Sequence, residues 1–287
     1  MIWITGGKGM LGRHLAEKLE QAGMDFRATD IDLDITDRNA VKAFCGSGNF
    51  RWIVICSAYT AVDMAEDERE KAFAVNATGV ENIAKASLHS GAKIINFSTD
   101  YVFPGAKADG YTEADGTGPE GVYGASKLEG ERLLASLYEK YFIFRISWLY
   151  GPHGKNFVHT MLSLFNQRGE LKVVNDQFGS PTYTGELSDF IVNLIQSDSD
   201  RYGIYHFSGE GMTDWHEFAS EIYRLSAKYG ITKRDVKIHP VDSSQYPAKA
   251  KRPAYSYLLK DKLFATFGYR PAPWRVTLEE YISSIKS

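Results

Sequence analysis

The sequence has only two cysteines, no run of basic residues and no apolar stretch near the ~20 residues a membrane-spanning helix needs. Cys45 and Cys56 are spaced for neither a metal site nor a redox pair, and Cys56 ends the apolar run Trp52-Ile53-Val54-Ile55, which reads as a reduced core thiol. Lysine and arginine total 33 against 36 acidic residues, a net charge of −3. That balance argues against a sequence-independent grip on nucleic acid and against attraction to an anionic membrane. Gly-x-Ser-x-Gly is missing, which disfavours acyl transfer. The seven histidines include no HExxH, and His153 and His159 do not share a helical face, so no metal is expected. Met1 to Thr5 run straight into a glycine motif, which reads as a chain without a signal peptide and predicts a cytoplasmic protein.

Hydrophobic residues make up 44% and charged residues 24%, as in ordinary globular enzymes. Candidate strands at Ile2–Thr5, Phe26–Thr29, Trp52–Cys56, Lys93–Phe97 and Phe142–Ile146 alternate with helices at about 10–23, 37–45, 66–90 and 122–140. Such alternation predicts an α/β fold, a Rossmann-like doubly wound parallel sheet. After residue 150 the rhythm loosens. Helices near 156–168, 184–197, 213–229 and 276–286 are mixed with short strands at 171–174, 204–207 and 236–239. The division expected is a dinucleotide-binding unit over 1–150 plus about 184–197. A smaller mixed α/β substrate domain takes about 151–183 and 200–287.

Thr5-Gly6-Gly7-Lys8-Gly9-Met10-Leu11-Gly12 follows the first strand and opens a helix. Gly6, Gly9 and Gly12 suit a tight turn, a close approach to a pyrophosphate and close helix–strand packing. The helix N-terminus offers free N–H groups to phosphate. Asp30 ends the second strand, where a carboxylate accepts hydrogen bonds from the adenosine ribose and repels a 2′-phosphate. Arg13 and Arg27 can favour that phosphate, so the sequence leans towards NADH and leaves NADPH open.

Tyr123 and Lys127 stand at i and i+4 on one helical face. Reduction of a carbonyl needs a proton donor at oxygen while hydride reaches carbon. An ammonium beside a phenol lowers its pKa towards the operating range, and the lysine can also bind the nicotinamide ribose. Ser98-Thr99-Asp100 lies where the strand Lys93–Phe97 ends, the edge at which doubly wound sheets bind ligands. Thr99 can hydrogen-bond the substrate oxygen and orient Tyr123.

The glycine loop, Asn76-Ala77-Thr78-Gly79 and the Tyr-x-x-x-Lys pair make the chain resemble the extended short-chain dehydrogenase/reductases along nearly its whole length. Within them it is similar to reductases of dTDP-linked 4-keto-6-deoxy sugars. The residues that carry this are 57–63 (Ser-Ala-Tyr-Thr-Ala-Val-Asp), 98–103 (Ser-Thr-Asp-Tyr-Val-Phe), 145–148 (Arg-Ile-Ser-Trp), Asn156-Phe157 and 176–182 (Asp-Gln-Phe-Gly-Ser-Pro-Thr). The resemblance implies Tyr123 as proton donor, Lys127 as holder of cofactor and tyrosine, and Thr99 as the group that tunes proton transfer. It implies that Gly9, Met10, Leu11, Asp30, Asp34, Ile35, Ser57, Ala58 and Tyr59 line the NADPH or NADH site. Asn76 matches a position whose role is structural or proton-relaying. Thr99, Asp100, Trp148 and Asn156 are implied to meet the sugar. Some relatives form magnesium-bridged dimers through surface glutamates; this chain carries His14 at one such place, so the metal is not carried over, and the choice between monomer and homodimer stays open.

Several positions keep two readings. Arg252 suits the nucleotide diphosphate, whereas Arg145 suits a structural role. Trp148 is a substrate contact or a core aromatic, and Gln177 and Thr182 serve the sugar or shape their turn. A related sugar-nucleotide dehydratase would be expected to carry Thr-Asp-Glu where this chain has Thr99-Asp100-Tyr101, and the missing carboxylate favours simple reduction. The alternatives are a reductase or epimerase of another nucleotide-linked keto sugar, or a non-catalytic NADP-binding regulatory subunit.

Overall fold

The computed structural model describes residues 1–246 and 248–285, so the last residue of the expected final helix, Lys286, lies outside the described residues. Its first half follows the predicted alternation: β1 (Ile2–Thr5), α1 (Met10–Gln21), β2 (Phe26–Thr29), α2 (Arg38–Ser47), β3 (Trp52–Ile55), α3 (Gly79–Ser90), β4 (Lys93–Thr99), α4 (Val122–Leu137) and β5 (Tyr141–Ile146). The second half holds α5 (Phe157–Gln167), β6 (Glu170–Val174), α6 (Thr184–Gln196), β7 (Gly203–Phe207), α7 (Trp215–Lys228), β8 (Lys237–Val241), α8 (Asp261–Phe267) and α9 (Trp274–Ile285).

Parallel strands in the order β7-β5-β4-β3-β1-β2 form the main sheet. β1 and β3 are buried along their whole length, because each sends alternate side chains into two apolar layers. Ile2, Ile4, Trp52 and Val54 meet Leu15 of α1 and Ile191 of α6 on one face. Trp3, Ile53 and Ile55 meet Val41 of α2, Ile83 of α3 and Leu134 of α4 on the other. The chain reverses direction across the sheet between β1 and β3, and a crevice opens at their carboxyl ends.

One expectation is corrected. The strand Gly203–Phe207, placed from the sequence with the second unit, pairs parallel with β5 and forms an edge of the main sheet. Its Tyr205 and Phe207 join the apolar layer that holds Phe144 and Phe190. The helix expected over 66–90 runs without a break from Arg69 to Ser90, ending in α3, and carries a π-helical turn at Ala74–Thr78; a separate turn at Val62–Ala65 precedes it.

A separate core joins α5, α7 and α9 through Val158, Phe165, Phe218, Leu225, Leu278 and Ile282, with Leu171 and Val173 of β6 against it. β6 pairs parallel with β8. Short strand pairs, Leu149–Tyr150 with Thr182–Tyr183 and Phe178–Gly179 with Thr213–Asp214, bring this half to the carboxyl edge of the main sheet. No helix among the described residues is long and apolar enough to cross a membrane.

Candidate active site

The glycine loop turns because Gly6 adopts φ +65°, and a Cβ there would lie 2.6 Å from the backbone nitrogen of Ser57. Gly12 is needed for contact: its Cβ would stand 2.2 Å from the Gly6 carbonyl oxygen, so α1 could not pack on the loop. No side chain caps α1 at Gly9, which leaves its first N–H groups for a ligand. The amide of Lys8 donates to Asp30 Oδ2 over 2.8 Å, so Asp30 braces the loop as well as facing the crevice. Gly6, Gly9, Asp30, Asp34, Ile35, Ser57 and Ala58 line a cleft of about 590 Å³.

A second cavity of about 470 Å³ adjoins it through Gly9, Cys56 and Ala58. Met10 and Leu11 of α1, Thr99 at the end of β4, Tyr123 and Lys127 of α4, and Trp148 all line it. Three residues that the sequence placed in one constellation therefore share one cavity. Its walls also include Lys155, from the loop before α5, and Trp215, the first residue of α7.

The close seat of α4 depends on two glycines. A Cβ on Gly124 would lie 2.2 Å from the Tyr101 carbonyl oxygen, and one on Gly130 2.1 Å from that of Asn76. The helix presents Tyr123, Lys127 and Glu131 at successive turns. Glu131 is paired with Arg145 of β5 at 2.7 Å, and both side chains are nearly solvent-free, which gives Arg145 the structural role expected of it. Burial lowers the Lys127 ammonium to about 8, while the Glu131 carboxylate opposes the fall. Tyr123 is pushed up to about 12 by burial, against a hydrogen bond with Thr99. The expected lowering of the phenol by Lys127 is corrected here, because desolvation dominates and Lys127 is not among the groups acting on it.

A third cavity, also of about 470 Å³, shares Val62, Tyr101 and Trp215 with the second. Phe157, Met161 and Leu164 give it an apolar wall, and Lys172, Gln177 and Arg252 supply polar groups. Arg252 Nη2 donates to Asp63 Oδ2 over 2.7 Å, while its Nη1 is buried with no partner among the described residues. Through these shared walls the three cavities lie side by side, with the second between the other two.

Other expected contacts lie elsewhere. Asn156 caps α5: it accepts from the His159 amide and donates to the Gly151 carbonyl, so its side chain is occupied away from the three cavities. Tyr59 turns its hydroxyl onto Glu68 at 2.7 Å, outside the cofactor cleft. Asn76, in the π turn, accepts from the Tyr59 amide and donates to the Tyr59 carbonyl and to Ser126 Oγ. It therefore ties the loop after β3 to the helix of Tyr123, which is the structural one of its two readings. Asp100 is 2% exposed and lines none of the three cavities. Burial raises its carboxyl to about 6 against the hydroxyls of Ser256 and Thr99. Thr182 donates to the Ser147 carbonyl and shapes its turn, while Gln177 reaches the third cavity.

Sequence reasoning missed Trp215 and Lys172, and gave Asp63 no role beyond its place in the motif at 57–63. Thr213-Asp214-Trp215 reads only as a helix start, since Asp214 accepts from the Glu217 amide as a cap. Nothing in its spacing points to the cleft.

A family model described as the RmlD substrate binding domain matches residues 1–287. The chain belongs to that family, within the extended short-chain dehydrogenase/reductases. It is 45% identical over 279 residues to a dTDP-4-dehydrorhamnose reductase of Sinorhizobium fredii, covering 94% of this chain and 93% of that one. A protein of the same name from Aggregatibacter actinomycetemcomitans is 40% identical over 282 residues, 96% of each chain. The solved dTDP-4-dehydrorhamnose reductase of Bacillus anthracis, in complex with NADP, superposes with a TM-score of 0.93 at 40% identity, covering 100% of this chain and 99% of that one.

Proposed function

We propose that the chain reduces the 4-keto group of dTDP-6-deoxy-L-lyxo-4-hexulose to give dTDP-L-rhamnose, using NADPH or NADH. The observation that carries this reading is the meeting of Thr99, Tyr123 and Lys127 in a cavity flanked by the glycine cleft and the Arg252 cavity. The residues present fit a dinucleotide. The turn at Gly6 leaves room that a Cβ would fill, and the uncapped start of α1 offers N–H groups to a pyrophosphate. When bound, the dinucleotide supplies the hydride.

The protein's own groups do the rest. Tyr123 holds its proton firmly at neutral pH and donates it from the phenol oxygen to the developing alkoxide at C4. Thr99 orients that phenol, and the buried Lys127 ammonium steadies the ribose and the charge that forms. Trp148 and Trp215 give the sugar an apolar wall, and the buried Nη1 of Arg252, without a partner among the described residues, takes a diphosphate oxygen. In this reading the main sheet with α6 and β7 holds the cofactor, and the unit built on α5, α7 and α9 holds the sugar nucleotide. We place the reaction in the cytoplasm and expect a homodimer, which light scattering would read.

The test is consumption of NADPH and of NADH with dTDP-6-deoxy-L-lyxo-4-hexulose, with the product identified by NMR. Purified protein carrying tightly held NAD and turning over no reduced cofactor would point to an epimerase. Binding of NADPH without any turnover would point to a regulatory subunit.

A further inference from the structure

The motif at 57–63 ends in Asp63, a carboxylate that the proton transfer does not use. It accepts from two groups of one segment: Arg252 Nη2 at 2.7 Å and the Ala250 amide at 3.1 Å. Both bonds cross from the turn at Val62–Ala65 to a stretch far away in sequence. Neighbouring charges repeat the pattern, with Asp67 meeting Lys249 and Glu120 meeting Lys251. Among these cations Arg252 alone lines the third cavity, with one guanidinium nitrogen bonded to Asp63 and the other buried near the Tyr101 phenol with no hydrogen-bond partner among the described residues. A guanidinium held by one edge offers its free edge in a fixed direction, which suits a diphosphate better than a free-swinging chain.

Three residues on, the same turn reaches the catalytic helix. Glu66 Oε1 accepts from the Val122 amide over 2.8 Å. Gly121 precedes α4 and carries no side chain to cap it, and a Cβ there would come 2.9 Å from Glu66 Oε1. The cap of the helix that begins next to Tyr123 is therefore supplied from this acidic turn, by a carboxylate placed where the helix dipole favours negative charge.

We propose that the turn carrying Asp63 and Glu66 is a positioning element for both ends of the reaction: Asp63 aims Arg252 at the diphosphate of the sugar nucleotide, and Glu66 fixes the start of the helix that carries Tyr123. This rests on the reading of the site as a sugar-nucleotide reductase. Neither residue touches a reacting atom. Each acts through a partner, so loss of either should be felt at that partner's task and not at the other's.

The experiment measures dTDP and NADPH affinity by titration calorimetry, and kcat and KM with the keto sugar, in Asp63→Asn, Glu66→Ala and Glu66→Gln. Asp63→Asn should weaken dTDP binding about ten-fold, the loss expected for a charged hydrogen bond, and raise KM while NADPH affinity holds. In an Arg252→Ala background the same substitution should add nothing. Glu66→Ala should lower kcat about ten-fold through misplacement of the phenol with dTDP affinity kept. Glu66→Gln, whose amide oxygen still accepts, should restore kcat. Melting curves separate these effects from misfolding, and Glu66→Asp, one methylene too short to keep the bond to the Val122 amide, carries the test if the alanine variant fails to fold: kcat should fall with dTDP affinity kept, and wild-type kcat there counts against the inference. Equal loss of dTDP affinity with and without Arg252, or wild-type kcat in Glu66→Ala, would overturn the inference and leave the reductase reading standing. A wild-type protein that neither binds dTDP nor turns over the sugar would remove that reading, and the inference with it.

Discussion

The indole rings of Trp148 and Trp215 stack with centroids 3.7 Å apart and planes 12° from parallel. Trp148 is held at φ +47°, a left-handed conformation that non-glycine residues seldom adopt. Gly179 lies beneath its ring, where a Cβ would stand 2.8 Å from the indole. Both are half-buried and form one wall of the second cavity, so removing Trp215 should unseat Trp148. Trp215→Ala should therefore raise KM for the sugar nucleotide roughly ten-fold, by loss of aromatic contact area and stacking. Near-UV circular dichroism should lose the signal of the coupled indoles in the same variant. An unchanged KM beside a large drop in melting temperature would make the pair part of the core only.

Asp30 accepts from the Lys8 amide and, in the proposed reading, also holds the ribose. Asp30→Ala should weaken both cofactors by loosening the glycine loop, and NADH more than NADPH, because it also relieves repulsion of a 2′-phosphate. The ratio of kcat/KM for the two cofactors is the measurement. A ratio that does not move would mean that the carboxylate only braces the loop.

Tyr123→Phe keeps the ring that packs edge-on to Tyr101 at 5.7 Å and removes the phenol oxygen. Loss of a general acid costs ~10²–10⁴-fold in rate, and kcat should fall in that range with NADPH affinity little changed. A near-normal kcat, in an assay limited by chemistry, would transfer the proton to another group.

The ammonium of Lys127 supplies a pH signature. Its pKa is lowered to about 8, so the free protein loses this charge as pH rises through that value, and kcat/KM should fall with it. Tyr123, raised to about 12, keeps its proton over the same range and does not account for the loss. Stability should move the other way. Between about 8 and the ordinary lysine value of 10.5 the unfolded chain binds the proton that the folded one has released, so Lys127 makes the fold more stable as pH rises across that window. A flat kcat/KM profile through pH 8 would show that the charge is not needed.

Much of this was legible because the decisive signals are local. The apolar runs of β1 and β3, the glycines at 6, 9 and 12, and a tyrosine four residues before a lysine can be read without knowing what lies across the fold. What escaped was set by distant partners. Gly203–Phe207 joined the main sheet because β5 offered it an open edge, a fact not written in those five residues. Asn156 has the same residue type whether it meets a sugar or caps a helix, and only the position of the His159 amide decides. Lys127 stands at the right spacing to lower the phenol, yet the depth of the cavity raises it, and depth is not a property of spacing. The helix α8 was passed over because its seven residues contribute only Leu263 to the buried interior, too few to show a period.

The π-helical turn at Ala74–Thr78 has a consequence for chain length. Such a turn accommodates one residue beyond regular α winding, so one residue could be deleted there without rotating the segments on either side. Ala72 before it, and Val80 and Ile83 after it, would keep their buried orientations. Asn76 would lose its place, and with it the tie between Tyr59 and Ser126. A chain shorter by that residue should keep the winding of the helix and lose the brace between the loop after β3 and the helix of Tyr123. The extra residue thus serves the joining of two segments, through which it reaches the site.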